Sequence, residues 1–167
     1  MADKYIALIA GIDQEVEGTV TGGTAGQNGK IVALDATGRL DSTLMPVGIV
    51  ADTYSGTASE ALSAGAYVYI KSDGQVANAS AASGGNPTIG FVLAASASGA
   101  TAIVYFEGRN TAVTGLTVGA RYYLSDTTAG GATATPVVGA GKLHQYLGRA
   151  ISTTSLSFEA DDHIVRA

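Results

Sequence analysis

The chain contains no cysteine, and this absence excludes several kinds of chemistry at once. Without thiols there is no disulfide framework, no thiolate nucleophile and no zinc site built on cysteine ligands. Tryptophan is also absent, and aromatic residues make up only 7% of the 167 residues. Charged residues account for 14%, against roughly 25% in an average soluble domain. The sequence therefore offers few side chains for catalysis or for stacking on a ligand.

Positive charge and long apolar runs are equally scarce. The nine Lys and Arg residues are scattered along the chain and outnumbered by 14 Asp and Glu, which gives a formal net charge of −5. Nucleic-acid binding depends on clustered positive charge that neutralises phosphates. The apolar run at residues 5–11 is much shorter than the roughly 20 residues that span a bilayer. We therefore expect no nucleic-acid partner and no membrane association.

The chain does contain an internal repeat. Residues 29–40 align without a gap on residues 65–76, at an offset of 36, and a third copy starts 54 positions later at Gly119. Each copy has the pattern strand, turn, strand, and an apolar-Gly-apolar segment follows, as in residues 89–92. Unequal offsets are typical of divergent units folded into one β domain and not of a solenoid with a fixed period.

Alternation of side chains identifies the strands of these units. One parity predicts a core face, formed by Val32 and Leu34, Val68 and Ile70, and Tyr122 and Leu124. The opposite parity predicts an aromatic, half-polar face suited to a subunit contact, with Ile31 and Ala33, Tyr67 and Tyr69, and Arg121 and Tyr123. Turns are predicted at residues 35–38 and at Asp73-Gly74, where Asp accepts hydrogen bonds from the turn and Gly adopts a positive φ.

Together these patterns predict an all-β fold. We expect a compact β-barrel or β-sandwich-like domain over residues 29–167, built from repeated hairpin units at about 29–50, 65–106 and 119–158. The glycine- and threonine-rich sequence before it predicts an extended N-terminal arm over residues 1–28. Residues 57–64 lack a sustained helical stripe and are predicted to form a loop.

Residues capable of chemistry do not form a recognisable site in the sequence. His144 has no acidic residue or second histidine at metal-ligand spacing, so we interpret it as a structural or surface residue. Asp161-Asp162-His163 places neighbouring side chains on opposite faces of a strand, and the pairs Glu15 with Glu17 and Glu159 with Asp161 are interpreted as solvated edges. We predict no catalytic residue, no metal and no cofactor, and hence a structural or binding protein.

Three stretches of the chain resemble known virion proteins: Gly29–Gly48, Gly90–Phe106 and Gly115–Leu124. With their small residues and β patterns they are similar to small virion proteins of tailed bacteriophages, above all to capsid decoration (cement) proteins. The resemblance covers most of residues 29–158. It implies a β-rich homotrimer on the exterior of the mature phage head, in the virion, where it would clamp subunits of the major capsid protein.

Under this resemblance, apolar and aromatic residues are the candidates for the capsid or subunit interface. On the arm they are Tyr5, Ile6, Leu8 and Ile9. In the β domain they are Tyr67, Tyr69, Tyr105, Tyr122 and Tyr123, each of which could instead be a core residue. Two other functions stay open: a tail-fibre, spike or neck component, and a carbohydrate-binding β module.

Overall fold

The computed structural model describes residues 4–22, 30–45 and 51–167 of the chain. The chain folds as two compact units, Met1–Val50 and Ala51–Ala167. Every regular element in the described residues is a β-strand except one 3₁₀ helix at Ser42–Leu44, so the all-β prediction is confirmed. None of these residues forms a helix long and apolar enough to cross a bilayer. Residues 46–50, at the end of the predicted unit at about 29–50, lie outside the described residues.

The first unit begins with a β-hairpin. Strands β1 (Lys4–Ile9) and β2 (Ile12–Glu17) pair antiparallel. The two-residue turn has positive φ at both positions, 52° at Ala10 and 81° at Gly11, which matches the twist of the strands it joins. The described start of the predicted extended arm is thus folded back on itself.

The first repeat copy does not form a strand ladder where it is described. Its β-pairing there is an isolated parallel bridge between Thr19 and Val32, with the Thr19 N–H donating to Ile31 O at 3.0 Å. Val32 and Leu34 are 48% and 54% exposed, so the prediction that they face a core is wrong. The sequence around Val32 and Leu34 does alternate, but in the described residues no sheet covers the face that these two side chains share. The turn prediction is confirmed, since Asp35 Oδ1 accepts hydrogen bonds from the N–H groups of Thr37 and Arg39.

The second unit contains two five-stranded antiparallel sheets and a short two-stranded one. Its strands are β3 (Thr53–Thr57), β4 (Tyr67–Ile70), β5 (Val76–Asn78), β6 (Gly90–Val92), β7 (Thr101–Tyr105), β8 (Gly108–Asn110), β9 (Arg121–Leu124), β10 (Ala132–Thr133), β11 (Leu143–His144), β12 (Tyr146–Ser152), β13 (Ser155–Phe158) and β14 (Ile164–Val165). The first sheet has the order β3-β7-β6-β4-β5, the second β10-β9-β12-β13-β8, and β11 pairs with β14. In these residues neither large sheet closes into a barrel.

The two large sheets share one core, as in a sandwich. Tyr67 of β4 and Phe91 of β6, from the first sheet, contact Phe158 of β13, from the second, with ring centroids 5.8 and 5.3 Å apart. Fully buried leucines of the second sheet complete the cluster, among them Leu124 and Leu156. Leu156 and Phe158, at alternate positions of β13, are both buried in this core.

A second core cluster covers the other face of the first sheet. Val68, Val92 and Val104 are buried there against Ala58 and Leu62, which lie in the segment predicted to be a loop. No α-helix forms in that segment. Because β4 is covered on both faces, its adjacent residues Tyr67 and Val68, which point in opposite directions, are both buried.

The second and third repeat copies form the hairpins that the sequence predicts. Strand β4 pairs with β5, and β9 pairs with β10, both antiparallel. In the turn between β4 and β5, Asp73 Oδ1 accepts a hydrogen bond from the Gln75 N–H at 3.0 Å, and Gly74 has a φ of 80°. The apolar-Gly-apolar segments that follow lie in β6 and β12.

Candidate interaction surfaces

One face of the N-terminal hairpin combines apolar and acidic side chains. Directly opposed residues of an antiparallel pair share a face, so Ile6 lies beside Glu15 and Leu8 beside Asp13. Ile6 and Leu8 are 69% and 71% exposed. Lys4 Nζ lies 3.2 Å from Glu15 Oε1 in an exposed ion pair. We refer to this surface as the hairpin face, which consists of Lys4, Ile6, Leu8, Asp13, Glu15 and Glu17.

The opposite face of the hairpin is partly covered within the first unit. Tyr5 is half-buried there, and its hydroxyl accepts a hydrogen bond from the Ile31 N–H at 3.4 Å. A cavity of about 250 Å³ lies between Tyr5 and residues 31–34. Ile9, opposite Ile12 beside the turn, remains 44% exposed. The four arm residues expected at an interface are therefore split, with Ile6 and Leu8 on one face and Tyr5 and Ile9 on the other.

Two of the tyrosines predicted as interface or core residues belong to the core. Tyr67 is 1% exposed and Tyr122 is 6% exposed. Burial raises the pKa of Tyr67 far above its usual value of 10.0, and the side chain of Asn110 offsets this only in part. The Tyr122 hydroxyl accepts a hydrogen bond from the Thr117 N–H at 2.9 Å. Neither side chain is therefore accessible to a binding partner.

Tyr69 and Tyr105 lie at the border of the core. Both are half-buried and pack against the shared cluster. The Tyr105 ring stacks on Phe91 at a centroid distance of 5.7 Å. Both side chains therefore contribute to the packing of the core.

Tyr123 lies in an aromatic cluster on the outer face of the second sheet. Its ring centroid is 5.0 Å from that of His144 and 5.9 Å from that of Tyr146, the latter in an edge-on arrangement. Together with Arg121 and Asp161, these three rings line a cavity of about 290 Å³. We refer to this site as the tyrosine cavity.

A β-bulge places two of these rings on the same face. Tyr146 of β12 pairs with Tyr123 of β9, but the next pair joins Gly148 to Tyr122, so Leu147 is an extra residue in the ladder. Leu147 is fully buried, whereas Tyr146 is half-buried on the cavity side. Bulges redirect side chains in this way and are frequent beside functional sites.

Backbone contacts hold the acidic residue of the tyrosine cavity in place. The Asp161 N–H donates to Tyr146 O at 3.2 Å, and Asp161 O accepts from Gln145 Nε2 at 3.2 Å. From the sequence, Asp161 is interpreted as a solvated edge and His144 as a structural or surface residue, and Tyr146 is not singled out. The spacing Arg121-x-Tyr123 followed by His144-x-Tyr146 is the available signal, since residues two apart in strands share a face.

The remaining acidic candidates do not gather into a metal-binding group in the described residues. Where the chain is described, no set of three or more His, Asp or Glu side chains lies close enough to hold an ion. Asp161, Asp162 and His163 are all exposed. The Glu15 and Glu17 side chains lie on the hairpin face, where Glu15 pairs with Lys4.

The fold defines an all-β protein whose larger unit is a two-sheet sandwich, with an apolar and acidic hairpin face on the smaller unit. No protein-family model matches the chain, and no curated protein matches it significantly.

Proposed function

We propose that this protein is a bacteriophage capsid decoration protein, which binds the exterior of the mature head and stabilises it. The proposal draws on the resemblance to cement proteins and on one structural observation, the exposure of Ile6 and Leu8 on the hairpin face. Large aliphatic side chains that are about 70% exposed on adjacent positions of one strand face are suited to burial against another protein.

The hairpin face specifies what its partner surface must offer. Burying one Leu or Ile side chain contributes roughly 1.5–3 kcal/mol. Asp13, Glu15 and Glu17 form an acidic row beside the apolar pair, and Lys4 neutralises one of them. The complementary surface on the major capsid protein is therefore an apolar strip bordered by Lys or Arg side chains.

Stabilisation of the head follows from selective binding. A ligand that binds only the mature lattice stabilises that state by about 2.7 kcal/mol per site when its free concentration is about 100 times its Kd. Many such sites on one shell add together, so each contact can be modest. The two-sheet unit, with its shared core, serves as the rigid body attached to the lattice by the hairpin.

The resemblance also implies a homotrimer as the assembly that binds. A trimer offers three copies of the hairpin face to a three-fold position of the lattice, which increases the effective concentration of the second and third contacts. Light scattering on the purified protein is then expected to give three times the 16.6 kDa of one chain.

A binding experiment with matched variants tests the proposal. Mature heads that lack the protein are mixed with the wild type, with the double variant Ile6→Asp/Leu8→Asp, or with Val138→Asp, and bound protein is measured after sedimentation. Val138 is the control because it is 69% exposed in a loop of the second unit, as exposed as Ile6.

The wild type and Val138→Asp should sediment with the heads, and the double variant should remain in the supernatant. Binding of the wild type should also weaken as salt concentration rises, because the acidic row contributes electrostatically. Undiminished binding of the double variant would remove the hairpin face from the mechanism. Failure of the wild type to bind any form of the head would refute the proposed function itself.

A further inference from the structure

We propose that the tyrosine cavity binds a single pyranose unit of a glycan. This activity is independent of the capsid contact, because the cavity lies in the second unit and the hairpin face in the first. The protein would therefore have two binding surfaces with different chemistry.

The size and lining of the cavity match a small, flat, amphipathic ligand. Its volume of about 290 Å³ is at the lower end of the range for small-molecule sites. Three rings, those of Tyr123, His144 and Tyr146, supply apolar surface with polar edges. A pyranose presents an apolar C–H face to such rings and a rim of hydroxyl groups to its polar neighbours.

Arg121 and Asp161 supply the polar partners that a sugar needs. Asp161 is an acceptor for hydroxyl donors, and the Arg121 guanidinium is a donor for hydroxyl oxygens. Hydrogen bonds to charged groups of this kind are the stronger ones and provide orientation. One donor and one acceptor beside a stacking surface can fix both the face and the rotation of a sugar ring.

The charges beside the cavity favour a sugar over a cation. Aromatic clusters also bind quaternary ammonium groups, but a positive charge beside such a cluster repels a cationic ligand. Here Arg121 lines the cavity, and Arg166 Nη2 lies 3.3 Å from His144 Nδ1. Arg166 Nε is also buried without a hydrogen-bond partner in the described part of the chain. These two guanidinium groups outnumber the single carboxylate of Asp161, so together they would repel a cationic ligand.

The walls of the cavity are built in advance of binding. The bulge in β12 directs Tyr146 toward Tyr123, and two hydrogen bonds hold the main chain of Asp161. Pairing of β11 with β14 places His144 opposite Ile164 and secures the third ring. A preformed site loses little entropy on binding, which benefits a ligand as small as one sugar.

Saturation-transfer difference NMR on the full chain tests the proposal. The probes are glucose, galactose, mannose, N-acetylglucosamine and galacturonate, with choline as the cationic comparison. At least one pyranose should show transfer, strongest at the protons of its apolar face, and choline should show none. Tyr146→Ala and Tyr123→Ala should each weaken binding on the order of tenfold, and Tyr146→Phe should retain the ring stacking.

Arg121→Ala and Arg149→Ala form a matched pair. The two arginines face each other in register on β9 and β12, but only Arg121 lines the cavity. Arg121→Ala should weaken sugar binding and Arg149→Ala should not, with circular dichroism verifying that both variants fold. Lack of transfer to every pyranose, transfer to choline alone, or equal binding by wild type and Tyr146→Ala would each overturn the proposal.

Discussion

Gln145 and Thr88, which are 57 positions apart in the chain, form a reciprocal pair of buried hydrogen bonds. The Thr88 N–H donates to Gln145 Oε1 at 2.8 Å, and Gln145 Nε2 donates to Thr88 O at 2.9 Å. Thr88 precedes β6 of the first sheet, and Gln145 precedes β12 of the second. The side chain of Gln145 thus bonds to the main chain of Thr88 as a neighbouring strand would, and this contact links the two sheets.

Gln145→Ala should destabilise the second unit by about 2–4 kcal/mol, because it leaves the N–H and C=O of Thr88 buried without partners. Urea unfolding measures the change in free energy. The control is Gln14→Ala on the exposed hairpin strand β2, which should change stability by less than about 0.5 kcal/mol. Equal effects from the two variants would show that the buried pair contributes nothing.

Leu156→Ala should cost about 2–5 kcal/mol, since Leu156 is fully buried in the core that both sheets share. Ile103→Ala is the comparison, because Ile103 lies on β7 with half of its surface exposed. That variant should cost well under half as much. Thermal unfolding of both variants ranks their losses of stability. A larger loss for Ile103→Ala than for Leu156→Ala would show that Leu156 does not lie in the core.

Gly148→Ala should prevent stable folding or cost at least about 4 kcal/mol. Gly148 has a φ of 145° at the bulge, and a Cβ there would collide with the carbonyl oxygen of Ser157, which is main chain and cannot move aside. Gly99→Ala is the matched control, with a φ of 82° and open space around the position. It should cost only about 1–2 kcal/mol. Comparable stability of the two variants would contradict the close approach of β12 to β13.

Acid should weaken the fold as the pH falls below 3.8. The hydrogen bond from Lys142 Nζ, at 2.6 Å, holds the pKa of Asp126 below its usual value of 3.8. Because the folded-state pKa is the lower one, the stabilisation is fully present above 3.8 and is lost as the pH drops through the folded-state value.

Asp126→Asn isolates this contribution. The variant should be less stable than the wild type near pH 7, and the difference should close as both side chains become neutral in acid. Urea unfolding of the two proteins between about pH 7 and about pH 2 measures it. A difference that stays constant over this range would assign the effect to geometry and not to charge.

Local features of the fold are predictable from the sequence. Alternating side chains and Asp-Gly turns depend on neighbouring residues only, so the hairpin of β4 and β5 and the strand β13 were predictable. The same alternation at Val32 and Leu34 was misleading, because burial depends on a sheet that covers the face. Local periodicity does not contain that information.

The candidate sites depend on contacts that are remote in sequence. The tyrosine cavity is lined by residues from β9, β11, β12 and the segment before β14. Its geometry requires a bulge in β12 that no pattern in the sequence predicts. From the sequence alone Tyr67 could belong either to an interface or to the core, because its burial depends on the second sheet packing over it. Ile6 and Leu8 are exposed, and their expected role at an interface stays a prediction.

The most direct test of the proposed capsid function is the number of copies of this chain in purified virions of the phage that encodes it. Quantitative mass spectrometry gives that number relative to the major capsid protein. A decoration protein should be present at a ratio near one to one, or at the lower ratio of trimers on only some three-fold positions, which amounts to hundreds of copies per shell. A few copies, or a few tens, would identify a tail, neck or spike component, and absence from virions would contradict a structural role in the particle.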